Sequence, residues 1–194
     1  MTELFLVRHG EVHNPSRLRY GRLAGYALSE QGRRDVESCA RWISSRGARV
    51  RAIVSSPLER AVETADILRA ELSLQCEVRA DPRLIEAESR FDGLRYRADF
   101  WGHAKRWLER GHADEAPALV ASRMREALRS IADGTRDAAI VVSHQLPIQY
   151  LQVSLRGVAT VRSWHRRPRC ETASVTVLAA DGATLRVREY WQRA

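Results

Sequence analysis

Short apolar runs alternate with amphipathic stretches along this chain, and the alternation predicts its elements. Leu4-Phe5-Leu6-Val7 reads as a buried strand, stopped at once by the polar turn Arg8-His9-Gly10-Glu11. A glycine- and arginine-rich loop follows from Asn14 to Ala27. Ser29 is a suitable N-cap, and Val36, Cys39, Ala40 and Ile43 then share one face of a helix running to about Ser45. Arg51–Ser55 is a second short strand. Pro57 suits the first turn of the next helix, whose buried stripe is Leu58, Ala61, Val62, Ala65, Leu68 and Leu72. Cys76–Arg79 is a third strand.

The stretch from Asp81 to Pro117 breaks this rhythm. It holds Trp101, Trp107 and many charges without a long apolar run, and reads as an inserted loop and helix over the sheet edge, a candidate lid. Val120, Met124, Leu128 and Ile131 align on a further helix. Ala138–Val142 is apolar on both faces, as a central parallel strand is, and it ends in Ser143-His144. Pro147 opens another helix. Val175–Leu178 and Leu185–Arg188 flank Asp181-Gly182, the signature of a hairpin with a type I′ turn. The order of elements predicts an α/β fold: a three-layer α/β/α sandwich around a mostly parallel sheet. With no linker, repeat or low-complexity tract, residues 1–194 are expected to form a single domain.

Composition narrows the function classes. A chain of 194 residues can bury roughly 70% of its unfolded surface. Hydrophobic residues at 44% and charged residues at 29% fit a globular protein. No apolar stretch approaches the ~20 residues of a membrane span. Charge follows Leu4–Val7 instead of preceding it, unlike a signal peptide, so a cytoplasmic location and no membrane partner are expected. Cys39, Cys76 and Cys170 are odd in number and widely spaced, suggesting neither a disulfide framework nor a zinc site.

The formal charge of +8 invites a nucleic-acid reading. Two details count against it. Lys105 is the only lysine, and most arginines are interspersed with acids, as in Arg33-Arg34-Asp35; only Trp164–Arg169 forms a basic cluster. Nucleic acid is therefore not the expected partner, whereas small anions are. An exposed edge strand would be compatible with a homodimer.

In an open α/β sheet, ligands bind beyond the carboxyl ends of the strands. Two strands end in histidine, His9 and His144, and a third ends in Ser55-Ser56-Pro57 with Arg60 just beyond. If these strands are neighbours, His9, His144, Arg8 and Arg60 converge into a pocket for a compact dianion such as phosphate. No glycine-rich lysine-containing loop is present, which argues against a nucleoside-triphosphate machine.

These residues resemble the histidine phosphatase superfamily, the phosphoglycerate-mutase-like enzymes. The likeness is carried by Leu6-Val7-Arg8-His9-Gly10-Glu11, by Ser55-Ser56-Pro57-Leu58-Glu59-Arg60-Ala61-Val62-Glu63-Thr64-Ala65, by Leu84-Ile85-Glu86 and by Val142-Ser143-His144. The resemblance implies a cofactor-free, metal-independent phosphatase that hydrolyses a small phosphorylated metabolite through a phosphohistidine. A phosphoglycerate-mutase-type phosphotransferase and a weakly active phospho-ligand-binding regulator are the alternatives. It implies His9 as nucleophile, with Arg8, Arg60 and His144 on the phosphoryl oxygens. Glu86 is the implied general acid, with Glu88 as its rival. Glu11 and Glu63 are expected in supporting hydrogen bonds.

The chain departs from the family pattern in three places. Val12 stands where the opening motif usually has threonine, Asn14 comes earlier than the usual asparagine, and Gln145 replaces a glycine after the second histidine. Asn14 and Gln145 remain candidate phosphate contacts. Arg22, in the loop Tyr20-Gly21-Arg22-Leu23, is the candidate for a second anionic group or the polar body of the substrate.

Overall fold

The computed structural model describes residues 1–95, 114–157 and 167–193. Six strands form one sheet in the order β3-β2-β4-β1-β5-β6. They are β1 (Thr2–Arg8), β2 (Val50–Ser55), β3 (Val78–Ala80), β4 (Ala138–Ser143), β5 (Val175–Asp181) and β6 (Thr184–Trp191). The first four in spatial order are parallel, and β5 and β6 run antiparallel to their neighbours. The helices are α1 (Glu30–Ser45), α2 (Glu59–Glu71), α3 (Pro117–Asp133) and α4 (Gln145–Leu155), with a 3₁₀ turn at Pro82–Leu84.

The two faces of the sheet carry separate cores because side chains alternate along each strand. Phe5 and Val7 of β1 pack with Val36, Cys39 and Ile43 of α1 and Ala61, Ala65 and Leu68 of α2. Leu4 and Leu6 face the other way, onto Met124, Leu128 and Ile131 of α3 and Ile148 and Leu151 of α4. β4 is buried along its whole length, as its unbroken apolar run predicts. Cys39 and Cys170 are buried free thiols, and Cys76 is half-buried. Among the described residues, no helix is long and apolar enough to cross a membrane.

Several boundaries move by a residue or two. Ser29 caps α1 as expected, its hydroxyl accepting from the Gly32 N–H at 3.0 Å. Pro57, expected inside the second helix, precedes it: Leu58 is the N-cap and Glu59 the first helical residue. The third strand begins at Val78, not Cys76. The hairpin turn comprises Gly182 and Ala183, since Asp181 already pairs with Thr184; Gly182 takes the positive φ, +52°. Of the expected Asp81–Pro117 insertion, residues 96–113 lie outside the described residues, and Trp101 and Trp107 with them. The same holds for Trp164, His165 and Arg166 of the basic cluster.

One close approach fixes the turn after β1. Gly10 and Gly32 face each other: a Cβ on Gly10 would lie 2.8 Å from the Gly32 carbonyl oxygen, and one on Gly32 would overlap the Glu11 carbonyl. The turn therefore rests directly on the backbone of α1. Gly32→Ala forces that backbone apart, and overpacking of this kind typically costs about 1–3 kcal/mol. A lower urea midpoint at unchanged m-value is the expected result.

Candidate active site

The carboxyl ends of β1, β2 and β4 deliver the candidate residues to one place. Arg8 of β1 lies opposite Ser143 of β4, and the His9 N–H donates to the Ser143 carbonyl at 3.0 Å. His9 and His144 therefore leave adjacent strands side by side, with ring centroids 5.1 Å apart. The Ser56 N–H donates to the Val142 carbonyl at 2.9 Å, bringing the end of β2 into the same register. One turn later, α2 sends Arg60 back under the histidines, and only 1% of that side chain's residue surface stays exposed.

The tautomer of His9 follows from its partners. Nδ1 lies 2.7 Å from the Gly10 carbonyl oxygen, which can only accept, so Nδ1 carries the proton. Arg60 Nε, which can only donate, points at Nε2 from 3.3 Å. Nε2 is thus the lone-pair nitrogen. Burial first, then the charges of Arg60 and Arg8, hold the His9 pKa well below its ordinary value, so the ring is neutral near pH 7. His144 is depressed in the same way, by burial and then by His9 and the arginines. Its Nε2 sits 2.7 Å from the Ser56 hydroxyl, while its buried Nδ1 has no partner among the described residues.

Glu86 reaches the site along another route. The Ser143 hydroxyl donates to the Leu84 carbonyl at 2.8 Å, tying the Leu84-Ile85-Glu86 segment to the end of β4. Arg123 of α3 then donates to the carbonyls of Arg83 at 2.6 Å and Ile85 at 2.7 Å. Arg22 Nε donates to the Glu86 carbonyl at 2.8 Å. Both guanidiniums are held by one carboxylate, Glu115, at 2.7 Å from Arg22 and 2.8 Å from Arg123. Burial pushes the Glu115 carboxyl up, but Arg123, the Glu88 N–H and Arg22 together outweigh it and leave the pKa below the ordinary value. Glu86 is 9% exposed, and burial drives its carboxyl pKa up to about 7 against the pull of the Ala87 N–H, Arg60 and Arg8. Glu88 behaves differently: its side chain is exposed and lies 3.5 Å from Arg22.

Arg8, His9 and Glu86 line a cavity of about 370 Å³, with Tyr20, Gln145, Phe91 and Tyr150 on its other walls. A larger open groove of about 640 Å³ runs along α3 past Arg125, Glu126 and Arg129, away from both histidines. Among the described residues, no cluster of His, Cys, Asp or Glu is arranged to hold a metal ion.

Two expected substrate contacts stand elsewhere. Asn14 closes its own turn, its amide donating to the Leu18 carbonyl at 2.8 Å and accepting from the Leu18 N–H at 3.0 Å. Neither Asn14 nor Arg22 lines the cavity, and nor do the buried Arg60 and His144, whereas Arg8 and Gln145 do; Arg22 instead braces the Glu86 segment. Val12 is buried and bridges to Leu28, a packing role that suits an apolar residue where the family usually has threonine. Glu11 accepts from the Ser29 hydroxyl, and Glu63 pairs with Arg33 and accepts from the Leu28 N–H.

Tyr20 is a neighbour that sequence reasoning passed over. Its ring lies 4.8 Å from the Arg60 guanidinium and edge-on to His9 at 6.3 Å. The Arg60 guanidinium also donates to the Gly21 carbonyl at 2.5 Å, so the loop is pinned where its tyrosine faces the histidines. Ser56 was visible within its motif, but nothing local tells that its hydroxyl meets an imidazole from another strand.

A pair of imidazoles caged by guanidiniums at the ends of parallel strands is a site for phosphoryl chemistry. The chain belongs to the histidine phosphatase superfamily (branch 1), whose family model matches residues 4–192. It is 37% identical over 194 residues to an uncharacterized protein of Mycobacterium tuberculosis, covering 95% of this chain and 93% of that one. It is 30% identical to phosphoserine phosphatase 1 of Hydrogenobacter thermophilus, over 92% of this chain and 86% of that protein. Among solved structures, it is similar to a mycobacterial glucosyl-3-phosphoglycerate phosphatase complexed with VO3 (TM-score 0.77, 27% identity, 99% of each chain covered).

The Ser56–His144 contact is open to a direct test. Ser56→Ala leaves a buried imidazole with neither nitrogen paired, and such a loss costs about 1–3 kcal/mol. Urea unfolding is expected to register it, and the ring-nitrogen NMR shifts of His144 should move while those of His9 stay near their original values.

Proposed function

We propose that this protein is a phosphomonoesterase that works through a phosphohistidine on His9. The carrying observation is the tautomer of His9: Nδ1–H is bound to the Gly10 carbonyl, which leaves the lone pair on Nε2, where Arg60 Nε donates to it and a phosphoryl group would have to displace that contact. The phosphatase names of its relatives support the same reaction class.

Nε2 attacks phosphorus, and an N–P bond forms as the ester O–P bond breaks. In this reading Arg8 and Arg60 neutralise the phosphoryl oxygens and the neutral His144 donates to them from Nδ1; charge neutralisation is the main requirement of this transfer. The buried Glu86 carboxyl, held near pKa 7, gives its proton to the departing alkoxide. As a carboxylate it then takes a proton from water, which attacks the phosphohistidine, releases phosphate and restores His9. Positive charge comes from side chains, so the reaction is proposed to need no metal. The final acceptor is water; an alcohol product returned to the site would make the enzyme a mutase.

His9→Ala is expected to abolish phosphate release from an aryl phosphate, together with acid-labile labelling of the enzyme by labelled substrate. Retention of most activity would overturn the reading. Chelator should leave the rate unchanged, and an added acceptor alcohol should not divert phosphate into a new ester.

The pH profile carries a second expectation. Glu86 must be protonated for the first step and its pKa is raised, so kcat/KM should fall as pH rises through about 7. His9 is depressed, so it contributes no acidic limb until well below pH 6.5. Glu86→Gln should remove the alkaline limb and cost about 10²–10⁴-fold in rate on substrates with poor leaving groups.

A further inference from the structure

We infer that Glu115 is a positioning residue for Glu86: held between Arg22 and Arg123, its carboxylate aims the Glu86 carboxyl through the Glu86–Ala87 peptide. The inference rests on the phosphatase reading above, in which Glu86 is the general acid, and gives a role to a residue outside that chemistry.

A trans peptide is a rigid plane, so its C=O and N–H point in opposite directions and turn together. On one side of the Glu86–Ala87 peptide, the Ala87 N–H donates to the Glu86 carboxyl at 2.8 Å. On the other side, the Glu86 carbonyl accepts from Arg22 Nε at 2.8 Å and from Arg123 at 3.4 Å. Whatever places these two guanidiniums sets the tilt of the plane. The tilt in turn places the N–H that holds the carboxyl.

Glu115 places both guanidiniums. Its Oε2 accepts from Arg22 at 2.7 Å and from Arg123 at 3.1 Å, while its Oε1 accepts from Arg123 Nε at 2.8 Å. Two like charges on one carbonyl repel each other, and a carboxylate lodged between them offsets that repulsion. The Glu115 pKa lies below the ordinary value, so its charge is present at neutral pH. The same residue grips the next stretch of chain. Its N–H donates to the Glu88 carbonyl at 3.0 Å, and its Oε2 accepts from the Glu88 N–H at 3.3 Å.

Arg22 also ties the acid to the phosphoryl end of the site. The neighbouring Gly21 carbonyl accepts from the Arg60 guanidinium, whose Nε faces His9. Without the Glu115 charge, Arg123 keeps its bonds to the Arg83 and Ile85 carbonyls, so the segment stays in place. The Glu86 peptide plane, however, loses its fixed tilt. The loss then falls on proton donation and spares phosphoryl capture.

The test compares kcat/KM for the whole protein and its Glu115→Gln variant on 4-nitrophenyl, phenyl and propyl phosphate. Nitrophenolate departs without a proton, phenolate gains from one and propoxide requires one. A displaced acid, unlike a general loss of structure, therefore separates the three. The expected loss is about 10- to 100-fold on propyl phosphate, the scale of a misplacement of about 1 Å, and under about threefold on the nitrophenyl ester. On phenyl phosphate, Glu115→Gln should add less than about twofold once Glu86→Gln is present, because both act through one proton. Arg22→Gln removes one arm of the brace, should give the same graded loss, and decides the matter if Glu115→Gln does not fold. Equal losses on all three esters, or full additivity with Glu86→Gln, would overturn the inference while leaving the phosphatase reading intact. If the unaltered protein hydrolyses none of the esters and His9 takes up no phosphoryl group, that reading fails and this inference fails with it.

Discussion

The pairing of β1 with β4 is the constraint on which the rest of the site depends. Arg8 stands opposite Ser143, and the His9 N–H bonds the Ser143 carbonyl. A parallel ladder has a fixed slant and spacing, so two histidines that follow these strand ends have little choice of separation. A slip of one residue would turn Leu4 and Leu6 into the layer now filled by Phe5 and Val7, exchanging the two cores. The hydrophobic effect thus sets the distance between two polar rings that contribute little to it.

The electrostatics follow from the same burial. Away from water, an imidazole resists protonation beside two guanidiniums, and a carboxyl resists ionisation although those guanidiniums favour its charge. His9 and Glu86 are therefore driven toward their neutral forms by one cause, desolvation. The arginines act oppositely on the two, lowering both pKa values: this helps keep His9 neutral but works against protonated Glu86. Burial outweighs them at Glu86 and leaves its pKa within reach of neutral pH.

The parts legible in the sequence were those encoded locally. His9, Arg60 and His144 each follow directly from a strand end or a helix start, so a strand pattern plus a chemically distinctive residue was enough to bring them together. Four of the expected helices and all six strands appear, with edges displaced where local signals overlap: Pro57 sits before the helix because Leu58 takes the cap, and the hairpin turns one residue late at Gly182-Ala183. Asn14 and Arg22, expected as substrate contacts, are engaged elsewhere for a different reason. A polar side chain in a loop can serve a ligand or its own backbone, and only folded geometry shows that Leu18 claims the first and Glu86 with Glu115 the second. Tyr20 and Ser56 are the converse, ordinary residues given significance by partners dozens of positions away.

The Arg22–Glu115–Arg123 brace has a consequence for how this enzyme can change over evolutionary time. His9 hangs from the sheet, whereas Glu86 hangs from salt bridges and carbonyl contacts joining a loop, a 3₁₀ turn and a helix. Among the described residues, the two halves meet across the cavity, through Ser143 and through the Gly21-Arg22 loop. Drift in the segments flanking Glu86 can therefore reshape that wall of the cavity while leaving the paired imidazoles in place. Such a division lets the paired histidines be inherited unchanged while the surroundings of Glu86 are rewritten.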